Sequence, residues 1–205
     1  NSKAVDRFVD YATEVVTRYA DEDAVWITFN EPFIYLQREL TNSSNPLLTL
    51  PLLSKLVQAH NRTYDVIHQL DPDAKVSSNV AYIPGVEPVL DLIFVNRMKL
   101  DFLGLDYYYG ASLDNPTALN AFVDKFWEVR PAPEGLYYAL KYYHRRFPDL
   151  PIWIVENGIA TDNGKPRPNG YTRSDHLRDH LYWMQGAIGD GIDVIGDNYL
   201  SITDN

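Results

Sequence analysis

Two stretches decide how the chain is read: Ala24-Val25-Trp26-Ile27-Thr28-Phe29-Asn30-Glu31-Pro32 and Ile152-Trp153-Ile154-Val155-Glu156-Asn157-Gly158. Each is a short apolar, β-prone run closed by a glutamate with an asparagine beside it, Asn30 before Glu31 and Asn157 after Glu156. A continuous apolar run bounded by turn residues is the pattern of a strand buried on both faces. Pro32 has no N–H to give to a ladder, so the first strand is expected to end there. The residue before a proline is biased to extended geometry, which is the expectation for Glu31.

Working outward, Phe8, Tyr11, Ala12, Val15, Val16 and Tyr19 recur at helical spacing and predict an amphipathic helix. Beyond Pro32 a polar loop, Thr41 to Pro46, leads to a second helix with Leu52, Leu53, Leu56, Val57, His60, Tyr64 and Ile67 on its apolar face. A strand over 75–83, a short helix over 88–95 and a strand over 101–108 follow. Pro133-Glu134-Gly135 opens another helix, with Leu136, Tyr137, Leu140, Tyr143 and Phe147 on one side. After the Glu156 strand, Ser174 is the expected N-cap of a helix whose apolar positions are Leu177, Leu181, Met184 and Ile188. A last strand runs from Asp193 to about Tyr199. Strict alternation of helices with doubly apolar strands predicts an α/β fold, a parallel sheet covered by helices. No repeat or linker interrupts it, so residues 1–205 are expected to form one domain.

A formal net charge of −10 over 205 residues repels phosphates, which excludes nucleic acid and anionic membrane as natural partners. The absence of cysteine removes disulfides and thiolate chemistry and favours a reducing, cytoplasmic setting. No apolar run approaches the roughly 20 residues that span a bilayer. There is no phosphate-binding glycine loop and no serine nucleophile elbow. His176 and His180 have the i, i+4 spacing of metal ligands but lack a third ligand at a recognisable interval, so they read as surface or packing residues. Neither metal nor cofactor is expected.

In parallel α/β architectures functional side chains gather at the carboxyl ends of the strands, where Glu31 and Glu156 stand. Two carboxyl groups are the minimum equipment for glycoside hydrolysis, one protonated to donate to the leaving oxygen and one ionised to attack the anomeric carbon. Their surroundings must hold the two in opposite protonation states. A lone glutamate after a buried strand is more often a cap or loop residue, and two of them, each beside an asparagine, bring the two readings level by pattern alone.

The residues carry a resemblance that separates them. Thr28-Phe29-Asn30-Glu31-Pro32 resembles the acid/base motif of glycoside hydrolase family 1, the β-glucosidase and β-galactosidase family, and Ile154-Val155-Glu156-Asn157-Gly158 resembles its nucleophile motif. Asp101 to Tyr108, Pro133 to Tyr137 and Ser201 to Asn205 are similar to further family segments in the family's order. The resemblance implies a (β/α)8 TIM barrel, here strands 4–8 only. It also implies retaining hydrolysis of terminal β-linked sugars from β-glycosides or oligosaccharides. It assigns Glu31 as acid/base and Glu156 as nucleophile. Asn30, Asp106, Tyr108 and Asn157 become substrate-binding residues, with Tyr108 donating to Glu156.

Departures accompany the matches. Asp106 stands where the family has asparagine, Leu200 where it has a stacking tryptophan, and Asp197 where an aromatic residue is usual. The chain opens without methionine and stops before the family's last sugar-gripping residues. A catalytically incomplete fragment or carbohydrate-binding remnant is therefore the alternative. Five strands would leave sheet edges open, so self-association or a complementing chain is expected.

Overall fold

The computed structural model describes residues 3–20, 25–42, 50–108 and 129–201. Expectations for Ala24, for the loop beyond Asn42 and for the motif after Ser201 lie outside them. The order of elements is α1 (Lys3–Tyr19), β1 (Val25–Ile27), α2 (Pro32–Asn42), α3 (Leu50–Leu70), β2 (Lys75–Ser77), β3 (Asn79–Ala81) and α4 (Glu87–Ile93). A 3-10 turn (Val95–Arg97) precedes β4 (Leu103–Tyr107), α5 (Glu134–Arg146), β5 (Ile152–Asn157), α6 (Arg173–Gly189) and β6 (Val194–Tyr199). The chain forms two compact units, Asn1–Ala81 with Pro88–Leu103, and Tyr82–Glu87 with Gly104–Asn205.

In the first unit β1 and β2 pair in parallel, Val25 opposite Lys75 and Ile27 opposite Ser77. Val16, Ile67, Ala74 and Val76 close a core beneath Trp26 and Tyr64. Of α1's apolar residues Val5, Val9 and Val16 are buried, whereas Tyr11 and Tyr19, which share the helical spacing, face solvent. Their hydroxyls keep water while the valines pack.

Two expectations change here. The segment after Glu31 is a helix, α2, begun by Pro32 itself. Proline suits the first helical position because its missing N–H has no partner there and its φ is already helical. Phe33, Leu36 and Leu40 of this helix pack with Leu56, Val57 and Phe94. The strand expected over 75–83 is divided into β2 and β3 at Ser78. Hydroxyls of this segment take up neighbouring carbonyls, Ser77 Oγ donating to Phe102 O at 2.7 Å and Ser78 Oγ to Phe29 O at 2.8 Å.

In the second unit β4, β5 and β6 lie side by side in that order, and β5 and β6 are parallel. The buried face of α5 is Leu136, Ala139, Leu140 and Tyr143. The N-cap of α6 is Thr172, not Ser174. Thr172 Oγ1 accepts from Asp175 N at 3.1 Å and the Asp175 carboxylate accepts from Thr172 N at 3.0 Å, a reciprocal capping box. Ser174 lies inside the first turn.

The expected apolar stripe of α6 is also corrected. Leu181 and Ile188 are exposed, and His176, His180 and Ala187 are the buried positions. The two imidazoles lie against each other with centroids 3.8 Å apart. The Tyr107 ring lies 5.7 Å from His180 and the Tyr199 ring 6.0 Å from His176. The two imidazoles thus pack inside the second unit and not on its surface. No described helix is long and apolar enough to cross a membrane.

Burial pushes the pKa values of His60 and His180 down, and it pushes His176, with His180 beside it, down to about 3. A lowered histidine favours the fold while neutral, so the contribution is present above the unfolded value of 6.5 and is lost as pH falls below it. The urea midpoint is expected to decline as pH drops from 6.5 toward 3. A His176→Leu variant should decline less steeply over the same window, and parallel profiles for variant and parent would contradict the assignment.

Candidate active site

Glu31 follows β1 and carries the carbonyl that accepts Tyr35 N at 3.2 Å, the first hydrogen bond of α2. Its φ is 43°, so it is left-handed rather than extended as expected from Pro32. The proline excludes mainly the right-handed helical region. A chain that must pass from β1 into a helix starting at the next residue takes the remaining compact region, at a cost of about 1–2 kcal/mol.

The residues before Glu31 are held firmly. Thr28 N donates to Ser77 O at 3.0 Å, and Thr28 Oγ1 lies 2.6 Å from His60 Nδ1. His60 is fully buried, with Nε2 2.6 Å from Lys99 O. A carbonyl can only accept, so Nε2 carries the proton and Nδ1 accepts from Thr28. Asn30 Oδ1 accepts from Asn79 Nδ2 at 2.7 Å. The sequence placed His60 only on an apolar helix face. Its link to the glutamate strand had no local signal, because 32 residues separate it from Thr28.

Glu156 lies near the end of β5 in a bulge. Ile154 pairs with Asp197 and Asn157 with Tyr199, so Val155 and Glu156 together oppose Asn198. A bulge bends its strand and re-aims the side chains it carries. Tyr108, directly after β4, donates from Oη to Glu156 Oε2 at 2.6 Å. Asp106, two residues earlier, is 2% exposed, and its carbonyl accepts from Tyr82 N at 2.9 Å. Asn157 is fully buried. Its Nδ2 donates to Asp197 Oδ1 at 2.9 Å, and its carbonyl accepts from Leu200 N at 2.6 Å.

The second unit thus gathers Asp106, Tyr108, Glu156 and Asn157 around the ends of β4 and β5, and the first unit gathers Asn30 and Glu31 at the end of β1. Asp197 joins Asn157, a partnership the sequence did not announce. Asp197 was visible only as an acid where an aromatic residue is usual.

The family model for glycosyl hydrolase family 1 matches residues 1–92 and 90–205. The chain is 27% identical to galactolipid galactosyltransferase SFR2 of Arabidopsis thaliana over 240 aligned residues, which cover 99% of the chain and 38% of that protein. It is 24% identical to 1,4-beta-D-glucan glucohydrolase of Thermotoga neapolitana, covering all of the chain and 63% of that protein. The β-glucosidase of Thermotoga maritima in complex with deoxynojirimycin superposes with a TM-score of 0.76 at 21% identity, over 98% of this chain and 60% of that one. The chain therefore has the α/β fold of the (β/α)8 barrel in part. It spans between 38% and 63% of the length of these two curated relatives.

The backbone at position 31 can be tested apart from its carboxyl group. Glycine reaches positive φ without the penalty a Cβ imposes, so Glu31→Gly is expected to be more stable than Glu31→Ala by about 1 kcal/mol. Denaturant midpoints of the two variants decide it, and an alanine variant equal to or above glycine would show that position 31 is not strained.

Proposed function

The chain belongs to glycosyl hydrolase family 1, and on that premise we propose that it carries out retaining hydrolysis of terminal β-linked sugars with Glu31 as acid/base and Glu156 as nucleophile. Both units then belong to one catalytic domain over residues 1–205. The observation that carries the reading is the 2.6 Å hydrogen bond from Tyr108 to Glu156 beside a bulge at a strand end. A hydroxyl that donates to one carboxylate oxygen fixes that oxygen and so aims the group that attacks.

The chemistry follows in two displacements. The Glu156 carboxylate attacks the anomeric carbon while the bond to the leaving oxygen breaks and Glu31 transfers its proton to that oxygen. Glu31, now a carboxylate, takes a proton from water as the water oxygen attacks the same carbon and Glu156 departs. Asn30 bonds the sugar 2-hydroxyl, a contact that strengthens in the transition state. Asp106 and Tyr108 complete the substrate-binding set, and Asn157, whose buried amide bonds Asp197, supports the strand end beside Glu156. A sugar hydroxyl in place of water gives transfer, and one relative is named a galactosyltransferase.

A second reading has its own support. Leu200, where the family has a stacking tryptophan, is 45% exposed, and the chain spans only part of its relatives. A carbohydrate-binding remnant would bind sugars without turnover. On this reading the open edges of the sheet are closed by a second copy or a complementing chain.

Aryl β-glycosides assayed by proton NMR separate these readings. Hydrolysis with retained anomeric configuration is expected, and an inverted product would exclude Glu156 as a nucleophile. Glu156→Gly should lose activity and recover it with added azide, which takes the nucleophile's place. Glu31→Ala should spare activated leaving groups far more than poor ones, because only the latter need a proton. Binding without hydrolysis across the panel would select the remnant.

A further inference from the structure

Glu156 sits in an irregular part of the sheet, and something must hold it there. Across the bulge the paired residues are Ile154 with Asp197 and Asn157 with Tyr199. The Asn157 side chain reaches back over this gap to Asp197, so the 2.9 Å bond between them spans the segment that carries Glu156. On the other side of Asn157, Leu200 N binds the Asn157 carbonyl. Gly158 runs so close to the Leu200 carbonyl that a Cβ there would collide with it.

The Asn157 amide is fully buried, and among the described residues its Oδ1 has no hydrogen-bond partner. An ionised carboxylate is an acceptor only, so it satisfies the amide N–H and has no proton to offer the amide oxygen. A carboxylic acid offers one acceptor and one donor and satisfies both ends of the amide. We propose that Asp197 is a positioning residue, a protonated acid that forms a reciprocal acid–amide pair with Asn157 and thereby fixes the bulge holding Glu156. The proposal rests on Glu156 being the nucleophile.

The surroundings agree. Burial pushes the Asp197 carboxyl upward, against the downward pull of the Asn157 amide. Among the described residues, the ionisable groups beside β6 include Glu156 on β5 and, in contact with Tyr199, Arg173 and His176 on α6, whose further ionisable residues are Asp175, Arg178, Asp179, His180 and Tyr182. None of these is a cause of the shift. Folding favours the protonated form of a raised acid, so this stabilisation is present at low pH and is lost as pH rises through the raised value. Ionisation of Asp197 would loosen the bulge and add a negative charge beside a nucleophile that must stay correctly aimed.

Carbon-13 NMR of the carboxyl groups, alongside kinetics of Asp197→Asn and Asp197→Ala, tests this. The resonance that vanishes in Asp197→Asn is expected to titrate above the ordinary aspartate value. Asparagine offers the same donor and acceptor as the protonated acid, so Asp197→Asn should keep kcat within about threefold. Asp197→Ala, which leaves the amide unpaired, should lose about tenfold in kcat with KM little changed. A carboxyl that titrates at or below the ordinary value overturns the proposal, as does an asparagine variant as impaired as alanine. If the parent hydrolyses no glycoside, the hydrolytic reading fails, and the titration still decides the state of Asp197.

Discussion

A strand that stops inside a covered sheet leaves backbone donors and acceptors that must find other partners, and both glutamate-bearing strands are shaped by that requirement. At the end of β1, Thr28 N goes to Ser77 O and Ser78 Oγ takes the Phe29 carbonyl. The Glu31 carbonyl then becomes the first acceptor of a helix. At the end of β5 the Asn157 carbonyl is taken by Leu200 N. In each case the backbone is committed before the carboxyl group is considered. A side chain on such a strand end projects from a hydrogen-bonded backbone, which is the preorganisation the proposed mechanism asks of its carboxyl groups.

The same requirement explains why polar residues sit on faces that packing would fill with leucine. His60 joins Thr28 to the Lys99 carbonyl while it packs inside the first unit. His176 and His180 fill the buried face of α6 with flat rings 3.8 Å apart, between the rings of Tyr107 and Tyr199. Neutral imidazole is an adequate core group, but a charged one is not. Acid sensitivity is therefore built into both units at positions far from Glu31 and Glu156 in sequence.

The strands, the larger helices and both strand-end glutamates were legible because apolar runs and proline punctuation are local signals. What escaped was decided by competition between signals. Pro32 was read as the end of a strand and was equally the start of α2, a choice that only the packing of Phe33 and Leu36 settles. Leu177, Leu181, Met184 and Ile188 offered a plausible stripe, yet α6 is rotated so that histidines face inward. The cap moved from Ser174 to Thr172 because Asp175 completes a reciprocal pair only with the latter. Glu31's positive φ could not be read from its neighbours, since the bias before proline names the region to avoid rather than the one adopted. In the candidate site, Asn157 looked like a substrate ligand beside Glu156, and its buried amide faces Asp197 on the next strand. That partner is 40 residues away across a bulge, where simple alternation of side chains fails.

The departures from the family pattern bear on charge. Two acids, Asp106 and Asp197, stand on strands flanking the one that carries Glu156, at positions where a neutral residue is usual. On the proposed mechanism, full ionisation of both would crowd negative charge around the attacking carboxylate. Burial opposes that crowding at Asp197, because a carboxyl taken out of water favours its neutral form even against the downward pull of the Asn157 amide. Tyr108 supplies an O–H to Glu156 at an oxygen that can accept it. Two-carboxylate hydrolysis, as proposed, sets its protonation condition on Glu31 and Glu156, and the flanking acids enter it only through the hydrogen bonds that hold the strand carrying Glu156.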